Sequence, residues 1–118
     1  MIKNVPLYAA LLLSPLPAWA HAHLDHASPA VGSTVSPAPQ EVVIWFSEAI
    51  EPKFSSIEVR DAKGTAVQNG SATLAKDNTA ELHVPLKPLP PGTYTVIWHV
   101  LSIDTHRTQG DFSFTIGN

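Results

Sequence analysis

Three separate stretches of this chain alternate apolar and polar residues with a period of two. Phe112, Phe114 and Ile116 alternate with Ser113 and Thr115. Tyr94, Val96, Trp98 and Val100 alternate along a second stretch, and Leu82, Val84 and Leu86 along a third. This period places one side of an extended strand in a core and the other in water, and no helix satisfies it. Val42 to Phe46 is almost continuously apolar, which suits a more fully buried strand. Phe54 to Val59 predicts a further strand. Turn-forming clusters stand between these runs: Ser36-Pro37-Ala38-Pro39, Asp61-Ala62-Lys63-Gly64, Lys76-Asp77-Asn78 and Pro88-Leu89-Pro90-Pro91-Gly92. No amphipathic helix interrupts them. The expected fold class is therefore all-β, a small antiparallel Greek-key β-barrel or β-sandwich.

The first twenty residues do not belong to that pattern. Lys3 is followed by an apolar run around Leu7 to Leu13, and Ala18-Trp19-Ala20 fits the small-x-small site of signal peptidase. The apolar run is broken by Pro15 and Pro17 and falls short of the ~20 apolar residues that span a bilayer. Residues 1–20 are thus expected to be a signal peptide cleaved after Ala20, and residues 21–118 one exported domain, which we expect in the periplasm. The exported part has roughly 100 residues, enough for a single core. Without Lys3 the seven basic residues become six against ten acidic ones, a formal charge of −4. That balance argues against a nucleic-acid partner, which needs a basic face. The chain has no cysteine. An exported fold must then be held by its core alone, and thiol catalysis and cysteine-based metal sites are excluded.

A sandwich has no inherent function, so function has to come from a site. Six histidines are the obvious candidates: His21, His23, His26, His83, His99 and His106. Cleavage after Ala20 gives His21 a free α-amine, which with its own imidazole can close a chelate ring on one metal ion. Nitrogen donors of this kind suit Cu(II). The alternative is an accidental histidine at a frayed terminus. Asp104 and His106 form Asp-x-His. In extended backbone, residues two apart project to the same face, so carboxylate and imidazole would converge. The alternative there is a solvated turn. His23 offers a rival arrangement, in which the amine, two deprotonated backbone amides and the His23 imidazole wrap the ion. His83 and His99 fall opposite the apolar faces of their strands, and His26 reads as a loop residue.

Taken together these segments resemble the CopC family of periplasmic copper-binding proteins. His21-Ala22-His23-Leu24 with Ser28-Pro29-Ala30 looks like the family's mature start. Phe46-Ser47-Glu48 is similar to its early strand ending, and Pro91-Gly92-Thr93-Tyr94-Thr95-Val96-Ile97-Trp98 to the segment leading to its tryptophan. Ser102-Ile103-Asp104-Thr105-His106, followed by Gly110-Asp111-Phe112-Ser113-Phe114, resembles its most specific signature. The resemblance implies a cupredoxin-like, immunoglobulin-like barrel that holds one Cu(II) ion through His21, Asp104 and His106. It places Glu48 near the ion without touching it, and Trp98 close to the site. It implies copper sequestration, buffering or delivery in resistance, homeostasis or uptake. It also implies a CopD-type inner-membrane partner, here a separate protein because no second apolar run follows the leader. The sole methionine is Met1, which leaves with the leader, so no Cu(I) methionine site is expected.

No nucleophile–base pair argues for an enzyme. Two other readings fit the same residues. One is a copper-dependent oxidative enzyme of the N-terminal-histidine type, which resembles lytic polysaccharide monooxygenases. The other is a plain immunoglobulin-like interaction module without metal.

Overall fold

The computed structural model describes residues 22–118. Residues 1–21, with the expected leader, its cleavage point and His21, lie outside the described residues. Eight strands follow in order: β1 (Leu24–Ser28), β2 (Thr34–Val35), β3 (Glu41–Phe46), β4 (Ser56–Arg60), β5 (Thr73–Ala75), β6 (Asn78–Pro85), β7 (Gly92–Leu101) and β8 (Arg107–Ile116). They form two four-stranded sheets, ordered β1-β3-β6-β5 and β2-β8-β7-β4. Every strand pairing is antiparallel except β2 with β8.

The alternating residues do what their period requires. Tyr94, Val96, Trp98 and Val100 of β7 point inward, as do Phe112, Phe114 and Ile116 of β8. Val42, Ile44 and Phe46 of β3 and Leu82 and Val84 of β6 meet them from the other sheet. Burying each such side chain contributes about 1.5–3 kcal/mol. With no disulfide, this layer is what offsets the chain's conformational entropy. Within it, Tyr94 pairs with Phe114 and Val96 with Phe112, but Trp98 pairs with Gly110. The indole occupies the space a side chain at 110 would need, since a Cβ there would lie 2.6 Å from its ring.

Two local expectations are corrected. Phe54 does not begin a strand. Pro52–Phe54 is a single 3-10 turn, its Phe54 ring is 53% exposed, and β4 starts at Ser56. Pro52 supplies the fixed φ of the turn, and Ser55 closes it by donating to the Glu51 carbonyl at 2.7 Å. His26 is not in a loop but in β1, where its ring stacks on Trp45 at 4.3 Å between centroids. A register shift between Leu24 and His26 breaks the period of β1, so no alternation marks it in the sequence.

Candidate metal centre

At one end of the sandwich β7 turns into β8 through Ser102–His106. Backbone bonds pin this connection to the loop after β3. Ile50 bridges Ser102, and the Ile103 N–H donates to the Ala49 carbonyl at 3.1 Å. The turn itself is closed by Ser102 N–H to the His106 carbonyl at 3.0 Å and Thr105 N–H to the Ser102 carbonyl at 2.9 Å. Thr105 takes φ 71°, the left-handed region. Asp104 and His106 therefore meet for a different reason from the one expected. They are not i and i+2 of an extended strand; a tight turn folds them together. Asp104 Oδ1 lies 3.3 Å from His106 Nδ1, and both side chains are about half exposed.

The Ser102 hydroxyl organises this turn from below. It donates to Asp104 Oδ1 and lies 3.3 Å from the His106 N–H and 3.2 Å from the His106 carbonyl. The bond from Ser102 outweighs the opposing effect of burial and, with the further help of His106, holds the Asp104 carboxyl below the usual carboxylate range. Asp104 is thus an anion ready to ligate at neutral pH.

The start of the described chain is fixed beside this turn. Ala22 is completely buried, and its carbonyl accepts from Thr108 Oγ1 at 2.6 Å. The His23 N–H donates to Ser47 Oγ at 2.9 Å, and the Ser47 N–H returns a bond to the His23 carbonyl at 2.8 Å. Residues 22 and 23 are therefore not frayed. They are tied on one side to the end of β3 and on the other to Thr108, two residues after His106. The His23 side chain is exposed, and Glu48 is half-buried in the loop that flanks the turn. Trp98 is buried and packs edge-on against Phe46 at 5.2 Å, directly before the Ser47 that holds His23.

The remaining histidines have other surroundings. His26 stacks on Trp45 and bonds Asp25 at 2.9 Å. His83 sits between two carboxylates, with Nδ1 3.0 Å from Glu41 and Nε2 2.6 Å from Glu81. Burial opposes a charge on His83, but the two carboxylates together raise its pKa above the ordinary value. His99 is exposed on the outer side of β7. Among the described residues no three His, Cys, Asp or Glu side chains converge on one point. What they present is a pair, Asp104 and His106. Neighbouring donors at right angles, each about 2.0–2.2 Å from one ion, sit roughly 2.8–3.1 Å apart, so the 3.3 Å of this pair lies a few tenths of an ångström outside that span.

Sequence reasoning missed Ser47, Ser102 and Thr108, the three hydroxyl residues that place these groups. Only Ser102 carried a signal. It continues the inward series Trp98, Val100, where a polar residue is out of place.

Residues 24–117 match the family model for the CopC domain. Protein YobA of Escherichia coli (strain K12) is 41% identical over 99 residues, covering 83% of this chain and 80% of that protein. The crystal structure of CopC from Methylosinus trichosporium OB3b superposes with a TM-score of 0.77 at 34% identity, over 81% of this chain and 93% of that one. PcoC from Escherichia coli, described as a methionine-rich copper resistance protein, superposes with a TM-score of 0.72 at 29% identity, over 82% of this chain and 99% of that one.

Proposed function

This chain belongs to the CopC family and is a copper-handling protein, and from that premise we propose that it binds one Cu(II) ion through His21, Asp104 and His106. The observation that carries the proposal is the bond from Thr108 to the Ala22 carbonyl. Residue 21 is one peptide unit from Ala22, about 3.8 Å between Cα atoms, and Thr108 is two residues from His106. This anchoring of Ala22 beside the turn supports a site that His21 shares with Asp104 and His106. The α-amine and imidazole of His21, the His106 imidazole and the Asp104 carboxylate form a tetragonal set of nitrogen and oxygen donors, which suits Cu(II). Every donor must be deprotonated, so affinity falls as pH drops.

The alternative in which His23 and backbone amides wrap the ion is disfavoured. It needs the His23 amide deprotonated, and that N–H is bonded to Ser47. Glu48 flanks the turn and adds negative charge near the ion without touching it. The lone Met1 leaves no soft site for Cu(I), in contrast to the methionine-rich relative.

The amine donor exists only after cleavage behind Ala20, so copper loading follows export to the periplasm. There the protein sequesters, buffers or delivers copper, as a carrier and not an enzyme, with CopD-type inner-membrane machinery as its partner. Among the described residues no helix is long and apolar enough to cross a membrane.

The test is Cu(II) titration and EPR of the cleaved chain and its variants. D104A and H106A should each weaken binding and change the spectrum, and H23A should change neither. The ligand set is wrong if H23A alone alters both.

A further inference from the structure

Among the described residues Ser102 is the one buried polar side chain, with no exposed surface. It stands on the inward side of β7's pattern after Trp98 and Val100, where an aliphatic side chain would pack. A buried hydroxyl is unfavourable by about 1–3 kcal/mol unless it is bonded, so packing alone gives no reason for a serine here. Its bonds give one. The hydroxyl donates its single proton to Asp104 Oδ1, and its oxygen faces the His106 N–H at 3.3 Å. Its own backbone N–H and carbonyl close the turn onto His106 and Thr105. One residue thus addresses both members of the pair, whose side chains are otherwise about half exposed.

We propose that Ser102 is a positioning residue for copper, its buried hydroxyl presetting the Asp104 carboxylate and the His106 backbone in the arrangement that the ion requires. The role rests on the ligand set proposed above. A carboxylate oxygen has two lone-pair sites, so Oδ1 holds the serine proton and still faces an ion. Free, the Asp104 side chain would sample several rotamers and lose them on binding. Held by Ser102, it has already lost them in the folded apoprotein, and the ordering term drops out of the affinity. Partners that orient a metal ligand in this way change metal affinity by about 10–100-fold when removed.

The experiment measures Cu(II) affinity by competition with a chromophoric chelator, on chains beginning at His21. Thermal melting and near-UV CD of each apoprotein report the fold. S102A should keep its fold and bind Cu(II) about 10–100-fold more weakly, with altered EPR parameters. S102T, which keeps the hydroxyl, should recover most of the loss. In a D104A background the S102A step should shrink to about threefold or less, because coupled residues are non-additive. A second measurement needs no variant: a slowly exchanging Ser102 hydroxyl proton with a cross-peak to Asp104 in the NMR spectrum of the apoprotein.

Native affinity in folded S102A overturns the proposal. So does an equal S102A step with and without Asp104, which would mean that the hydroxyl does not act through the carboxylate. If S102A does not fold, a missing Ser102–Asp104 cross-peak in the native protein overturns it. A different pattern marks failure of the ligand set itself: no one-to-one Cu(II) binding by the native chain, or no effect of D104A. The positioning role then falls with it.

Discussion

Replacing Gly110 with alanine sets two physical effects against each other, and the structure decides between them. The φ of Gly110 lies outside the left-handed region, so alanine can adopt it. On backbone grounds alone the substitution would stabilise by about 0.4–1 kcal/mol, because alanine has less conformational freedom to lose. The new methyl carbon, however, would lie 2.6 Å from Cζ2, 2.9 Å from Cε2 and 3.2 Å from Nε1 of Trp98. Carbon atoms pack at about 3.5–4.0 Å. The gap must therefore open by roughly 1 Å against a rigid ring already seated edge-on against Phe46. Overpacking of this kind destabilises by about 1–3 kcal/mol, and a rigid, buried indole puts G110A at the upper end. The net loss is about 2 kcal/mol, which for a domain of this size lowers Tm by roughly 8–16 °C. The assay is thermal unfolding of the apoprotein followed by far-UV CD. The paired variant W98F removes the crowded part of the ring, and in that background G110A should lose at least about 1 kcal/mol of its effect. An unchanged or raised Tm for G110A refutes the packing reasoning, as does an equal loss in both backgrounds.

Other outcomes follow from single contacts. Thr105 is β-branched and held at φ 71°, a conformation that strains such residues. T105G should raise apoprotein stability by about 1 kcal/mol in denaturant unfolding. T108V removes the hydroxyl that binds the Ala22 carbonyl. It should lower stability by about 1–3 kcal/mol through the unsatisfied buried carbonyl and also weaken Cu(II) binding in the same titration. The Glu41–His83–Glu81 cluster links β3 to β6 and makes stability depend on pH in a stated direction. His83, raised in the fold, contributes stability that is fully present below its ordinary value of 6.5 and is lost as pH rises through the raised value. Glu81, lowered chiefly by its bond from His83, contributes stability present above its ordinary value of 4.5 and lost as pH falls through the lowered value. The stability difference between native protein and H83Q should therefore be largest between pH 4.5 and 6.5 and shrink on either side, as read by melting across a pH series.

The long strands were legible because their period is unbroken. Tyr94 through Val100 and Phe112 through Ile116 announce β7 and β8 without any knowledge of their partners. The missed strands lack that property. β2 has two residues and β5 three, too short to display a period, and the register shift in β1 displaces its inward residues. Phe54 misled because an aromatic side chain suits a strand in general, while Pro52 and the Ser55 hydroxyl acted locally to make a turn. At the site, the residue types of Asp104 and His106 were readable, but the reason they converge was not. That reason is the φ of Thr105 and the hydroxyl of Ser102, in a turn whose backbone is pinned to the distant loop after β3 by the Ile50–Ser102 bridge and the Ile103–Ala49 bond. The anchoring of Ala22 was equally hidden, since its partner Thr108 lies at the other end of the domain in sequence.

The proposed copper site stands or falls on a free amine at His21 as one of its ligands. The most direct measurement compares Cu(II) affinity and EPR spectra of two chains, one beginning at His21 and one carrying a single additional residue before it. The first should bind one Cu(II) ion tightly and give a tetragonal spectrum. In the second, affinity should fall by orders of magnitude and the spectrum should change, because the amine has become an amide. Equal affinity and identical spectra in the two chains would contradict the proposed site.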